Sequence, residues 1–203
     1  MIKEAQLTEE LGISRTPIRE ALTILEEERF IRIVPKKGIY VTGITLNDVI
    51  QIFTVRKEIE PVALRMAAPS LPYDTLIEFH QLISKEPTDL SDAYKLDMAM
   101  HMFIVEHCGN QFIIDMMRSV LDHNERIIIA SKQNKTKIHD ARQEHLAILD
   151  MLLEDEYERA SDMMRIHIES CRRAAMEYLS NFQSGMLKPT DSYRQILSRI
   201  TDK

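Results

Sequence analysis

Two cysteines, no tryptophan, five glycines and seven prolines are spread over 203 residues, and aromatic residues make up only 6% of the chain. With only Cys108 and Cys171 there is no disulfide framework, and a reducing compartment fits. Scarce glycine and proline, with no low-complexity run, favour long helices joined by short connections. No apolar stretch approaches the roughly 18–20 residues that span a bilayer. The opening Met1-Ile2-Lys3-Glu4-Ala5-Gln6 has no apolar core of a secretory signal. These absences point to a cytoplasmic protein with no membrane partner. Positive charge is also short: the net charge is −6, which excludes a protein that coats nucleic acid indiscriminately. The balance is uneven along the chain. Lys3, Arg15, Arg19, Arg29, Arg32, Lys36 and Lys37 offset Glu4, Glu9, Glu10, Glu20, Glu26, Glu27 and Glu28, so residues 1–43 are neutral and the remainder carries the whole excess. A basic face can still form on that neutral segment.

Residues 4–11 read as a short helix with Ala5, Leu7, Thr8 and Leu11 turned inward, ended by Gly12. Ser14 or Thr16 is placed to cap a second helix, Pro17 suits its first turn, and Ile18, Ala21, Leu22 and Leu25 are spaced for burial. Helix, glycine turn and helix make a helix-turn-helix. Two β-prone runs, 30–34 and 39–41, flank Pro35-Lys36-Lys37-Gly38, a hairpin with two lysines at its tip. Arg15 and Arg19 are four apart at the N-terminal end of the second helix, where recognition helices meet base edges. Ser14, Thr16 and the adjacent N–H groups suit phosphate oxygens. Spacing alone equally allows a solvated helix whose Arg19 pairs with an acid.

The run Leu11-Gly12-Ile13-Ser14-Arg15-Thr16-Pro17-Ile18-Arg19-Glu20-Ala21-Leu22 resembles the recognition-helix signature of the GntR superfamily, and the stretch from Leu25 to Val41 resembles its wing. The resemblance implies that Arg15 and Arg19 contact bases or phosphates of double-stranded operator DNA, with Ser14 and Thr16 in support. It implies that Lys37 lies at the wing tip, where Gly38 lets the wing enter the minor groove. Members of that family carry a further helix ahead of the position of Ile2, so the N-terminal module reads as a winged helix-turn-helix lacking its first helix. Many relatives also place a basic residue where Ala5 stands, so one phosphate contact is expected to be missing.

Thr42 to Thr45 forms a short linker, with Thr45 as a cap. Beyond it, helical spacing predicts helices over 46–68 (kinked by Pro61), 73–85, 89–107, 111–132, 137–153 and 156–182, and no strand pattern appears. The fold class is therefore mainly α, with domains at 1–43 (winged helix-turn-helix) and 44–185 (an all-α effector-binding bundle), and a polar tail at 186–203. The 12 methionines read as core filler.

Asp97 and His101 form Asp-x3-His on one helical face, while His145 and His167 sit in apolar surroundings on two other predicted helices. Three imidazoles and a carboxylate meeting inside a bundle make a first-row metal site. Taken singly, a histidine on an apolar stripe is more often a hydrogen-bonded core residue. Val55-Arg56 with Glu60-Pro61 resembles the opening of the FCD effector domain of the FadR subgroup. Asp97-x3-His101, Cys108-Gly109-Asn110, Glu144-His145 and the run from Ala160 to His167 follow its pattern. By that resemblance Asp97, His101, His145 and His167 hold a divalent transition metal (Zn, Ni or Mn). A closed tetrahedral site would make the metal structural, and a six-coordinate ion would leave positions for a small organic acid. Arg56 is placed to bind such an acid or to pair with Glu60 four residues on. His80, His107, His123 and His139 are given no role. The reading is a transcriptional regulator, a homodimeric repressor acting on paired half-sites, rather than an enzyme. The alternative is a metal-dependent hydrolase using the Asp/His cluster, against which no additional general base is in place.

Overall fold

The computed structural model describes residues 1–85, 90–133 and 141–183. The chain divides into two compact units, Met1–Ile44 and Thr45–Lys203. In the first, α1 (Glu4–Leu11) ends on Gly12, whose φ of 66° is the left-handed conformation glycine adopts without strain; its N–H donates to the Thr8 carbonyl. Then α2 (Arg15–Glu27) leads to β1 (Ile31–Val34) and β2 (Gly38–Val41), an antiparallel hairpin with Ile31 opposite Val41 and Val34 opposite Gly38. Ile2 adds an isolated bridge to Ile39. Ile18, Leu22, Ile31 and Ile39 form the small core, with Ile2, Leu7 and Phe30 packed against it.

Several burial expectations fail here. Leu11 is 61% exposed and α1 buries no residue completely. Ala21 and Leu25 are also exposed. Ile18 and Leu22 pack with Ile31 and Ile39 of the hairpin, whereas Ala21 and Leu25 lie outside that core. Ser14 occupies the cap position of α2 in extended conformation, but its hydroxyl makes no capping bond.

The second unit starts with α3 (Leu46–Ala67), secured by a reciprocal capping box: the Asp48 N–H donates to the Thr45 hydroxyl and the Thr45 N–H to Asp48. Pro61 lies within α3 without interrupting it. A single 3₁₀ turn, Ala68–Ser70, leads to α4 (Tyr73–Ser84), α5 (Leu90–Glu106), α6 (Gln111–Gln133), α7 (Arg142–Leu153) and α8 (Tyr157–Gln183). The described part of the fifth predicted helix begins at Arg142; residues 137–140, like the polar tail, lie outside the described residues. The central helix is α3, packed on α5, α6 and α8, with α4 and α7 completing the bundle. The Ser161 hydroxyl donates to the Pro61 carbonyl, tying α8 to the middle of α3. Met100, Met117 and Met164 are fully buried in the core. Among the described residues both strands belong to the first unit.

Candidate metal centre and nucleic-acid interface

Three helices bring their polar residues to one point. Helix α5 supplies Asp97 and His101, one turn apart and so on the same face. His145 comes from α7 and His167 from α8. The three imidazoles are between 0 and 4% exposed. His167 Nε2 lies 3.1 Å from His101 Nε2 and 3.2 Å from His145 Nε2, and Asp97 Oδ1 is 3.0 Å from His145 Nε2 and 4.0 Å from His101 Nε2. All four donor atoms fall within 4.8 Å of one another.

The outward ring nitrogens have partners of their own. His167 Nδ1 meets Glu144 Oε2 at 2.8 Å. His101 Nδ1 lies 2.6 Å from Glu60 Oε2, an ion-pair contact off the hydrogen-bond axis. Glu60 is gripped in turn by Arg56, whose Nε donates to Oε1 at 2.5 Å. A carboxylate beside Nδ1 of His101 and of His167 favours a proton on that nitrogen, which turns the Nε2 lone pair inward. With both protons on Nδ1, the Nε2 lone pairs of His101 and His167 face each other at 3.1 Å, an arrangement that a cation between them relieves. The donor set fits a divalent transition metal on this ground.

The electrostatics agree. Burial raises the Glu60 carboxyl, but Arg56 and then His101 outweigh it and bring it to about 2. Burial likewise opposes charge on Asp97, and His145 with its two neighbours holds this carboxyl well below the usual range. Burial drives His167 down to about 3 despite its bond to Glu144, so this ring is neutral. Cys171, one turn beyond His167, has its thiol pushed far up by burial and by Asp97.

Of the two roles open to Arg56, the structure shows the ion pair with Glu60, both side chains 3% exposed or less. Arg56 also borders a cavity of about 60 Å³ shared with Asp97, His167 and Cys171. Glu60 and Glu144 escaped the sequence reading as partners of the histidines. Glu144 stands beside His145 in sequence yet serves His167, a pairing visible only once α7 lies against α8.

In the first unit Ser14, Arg15, Thr16, Arg19 and Lys37 are all exposed, the first four around the start of α2 and Lys37 in the hairpin turn. Arg19 does pair with an acid, Glu4 Oε2, at 3.0 Å, and its side chain remains 65% exposed. Such an exposed pair holds by about 1 kcal/mol or less and yields readily to another anion. Lys36 has a φ of 64° and Gly38 one of 120°, and the Lys37 N–H closes the turn on the Val34 carbonyl. Together these angles turn the chain sharply at the two lysines.

Residues 1–41 match the bacterial regulatory proteins of the gntR family, and residues 51–170 match the FCD domain. The chain belongs to the GntR family, with an FCD domain. Relatives of this regulator include the HTH-type transcriptional repressor GlaR of Escherichia coli, 26% identical over 180 residues that cover 82% of each chain. The Nta operon transcriptional regulator of Aminobacter aminovorans is 25% identical over 172 residues, 83% of this chain and 80% of that one. A crystal structure of a GntR-family transcriptional regulator from Pseudomonas syringae superposes with a TM-score of 0.63 at 22% identity, covering 92% of this chain and 79% of that one, which establishes the shared fold. The regulator is a DNA-binding transcription factor of a family that does not consist of enzymes, and the metalloenzyme alternative finds no support there. No described helix is long and apolar enough to cross a membrane.

Proposed function

We propose that this regulator senses a small organic acid at a divalent metal, and that the acid sets the affinity of the winged unit for operator DNA. In this reading residues 1–43 bind DNA, residues 44–185 bind metal and effector, and 186–203 form a polar tail. Asp97, His101, His145 and His167 hold Zn, Ni or Mn; the metal supplies Lewis-acid positions for a carboxylate or hydroxy acid, with Arg56 beside them. The observation that carries the reading is the apposed Nε2 lone pairs of His101 and His167, each backed by a carboxylate on Nδ1. Ser14, Arg15, Thr16, Arg19, Lys37 and Gly38 form the DNA contact, and a cytoplasmic homodimer of the FadR subgroup acts as repressor on two half-sites.

The test is elemental analysis of the purified protein alongside its melting curve. His145→Ala or His167→Ala is expected to strip the metal and lower the melting temperature, because metal binding is coupled to the folded state. His80→Ala, whose pair with Asp150 is half-exposed, is expected to do neither. A metal-free protein whose melting is unmoved by added Zn, Ni or Mn overturns the reading.

A further inference from the structure

A cleft of about 450 Å³ lies between α5 and α6, away from the candidate ligands. Met98, Ala99 and Met102 of α5 and Leu121, Ile128 and Ile129 of α6 line it, and Ile129 is left 45% exposed. Apolar walls rich in methionine suit the apolar face of a helix laid into them. The Tyr94 hydroxyl in the same wall is buried and has no hydrogen-bond partner among the described residues, as at a surface that lacks a covering element.

The rim carries charge of one sign to spare. Its cations are engaged, Lys95 by Asp92 and Arg118 by Glu106 and Asp115. Asp122 and Glu125 are exposed and hold no ion pair among the described residues. They are three apart on α6 and so share one face, an acidic edge along the cleft.

The chain carries a segment that matches this surface. Helix α8 runs towards it: the Tyr178 hydroxyl donates to the Ala130 carbonyl at 3.0 Å, beside Ile128 and Ile129, and Gln183 ends the helix about 8 Å further on. From Gln183 to Tyr193 an extended chain reaches up to roughly 33 Å. Within the otherwise polar tail, Tyr193, Ile196, Leu197 and Ile200 recur at helical spacing, and Ser192 with Gln195 has the pattern of a capping box. As a helix, residues 193–200 measure about 12 Å, against about 17 Å of α6 between Arg118 and Ile129. Arg194 and Arg199 fall on the two flanks of that apolar stripe. Lys188, Arg194, Arg199 and Lys203 outnumber Asp191 and Asp202 in the tail of a chain whose net charge is −6.

We infer that residues 193–200 dock as an amphipathic helix in the α5–α6 cleft of their own subunit, with Tyr193, Ile196, Leu197 and Ile200 on its apolar walls and an arginine on Asp122 and Glu125. The tether decides the occupant. The linker 184–192 holds the segment near the cleft at a millimolar effective concentration, above that of a second copy in dilute solution. Tyr94 and Ile128 line both this cleft and the small cavity beside the Asp/His cluster, so the docked segment shares a wall with the candidate metal centre.

The experiment is hydrogen–deuterium exchange of the full chain, read by mass spectrometry. Amides 194–200 are expected to exchange at least about ten-fold more slowly than in the same peptide free in solution. Leu197→Asp puts a charge on the apolar stripe, and Ala99→Arg fills the cleft from an exposed helical position. Each is expected to bring those amides to the rate of the free peptide, with the far-ultraviolet circular dichroism of the bundle retained. Exchange at the free rate in the unaltered chain overturns the inference. So does protection that survives in folded Ala99→Arg, which places the segment elsewhere. Protection that fades on dilution overturns it as well, because it assigns the cleft to a second copy.

Discussion

The two units place their functional residues in opposite ways. In the winged unit the candidates Ser14, Arg15, Thr16, Arg19 and Lys37 are exposed and Gly38 is partly buried, and a four-residue core lies beneath the helix and the hairpin. In the helical unit the candidate ligands are buried, and each of two histidines is held by a carboxylate, one of which is held by an arginine. The contrast follows from the partners. A polyanion is met by long cations that keep their water until contact, and the cost of an imperfect fit is small. A metal ion tolerates errors of only a few tenths of an ångström, so its ligands are fixed by second contacts before it arrives. Substitutions in the two units should therefore differ in kind as well as in size.

The largest effect is expected at Glu60. Glu60→Ala leaves Arg56 buried without a counter-charge and should cost about 3–5 kcal/mol in urea unfolding, together with a weaker hold on metal. A loss under 1 kcal/mol would show that the buried network is no more organised than the surface pairs of the winged unit. Next comes Arg15→Ala, which should weaken operator binding by about 1–3 kcal/mol and relax sequence preference, with no change in metal content.

A smaller effect is graded with pH. His167 falls from its usual 6.5 to about 3 on folding, so between those values the unfolded chain binds a proton that the folded chain does not. Its contribution is complete above pH 6.5 and is lost as pH falls towards 3, with a slope of at most about 1.4 kcal/mol per pH unit. Metal-free protein unfolded in urea at pH 7, 6 and 5 should lose stability at each step. Equal stability at pH 7 and pH 5 would mean that the ring is hydrated or already charged. The smallest effect is Lys37→Ala, expected to lower affinity for any DNA sequence alike and to reduce the salt slope by about one.

Helical periodicity made most of this architecture legible, since spacing of three and four encodes a face wherever that face is buried. Asp97 and His101 were visible as a pair for that reason, and His145 and His167 because they keep the phase of apolar stripes. Burial was misread at Ala5, Leu11, Ala21 and Leu25, which keep a helical phase yet are exposed. Contacts between helices left no trace in spacing. Glu60 lies 2.6 Å from His101 across 41 residues of sequence, and nothing in either local pattern announces the other. Tyr94 resembled any aromatic on a helix until its hydroxyl proved to have no partner.

The proline in α3 has a mechanical consequence. With no N–H on Pro61, the rung that would join it to the Lys57 carbonyl is missing, and the ladder is weakest just past Glu60. On the other side, from Thr45 to Arg56, the rod is continuous and clamped at its end by the capping box. The rise of about 1.5 Å per residue puts the Arg56–Glu60 pair roughly 17–23 Å from the cap. A single unbroken run of helix therefore joins the buried Arg56–Glu60 pair to Thr45, the first residue of the second unit.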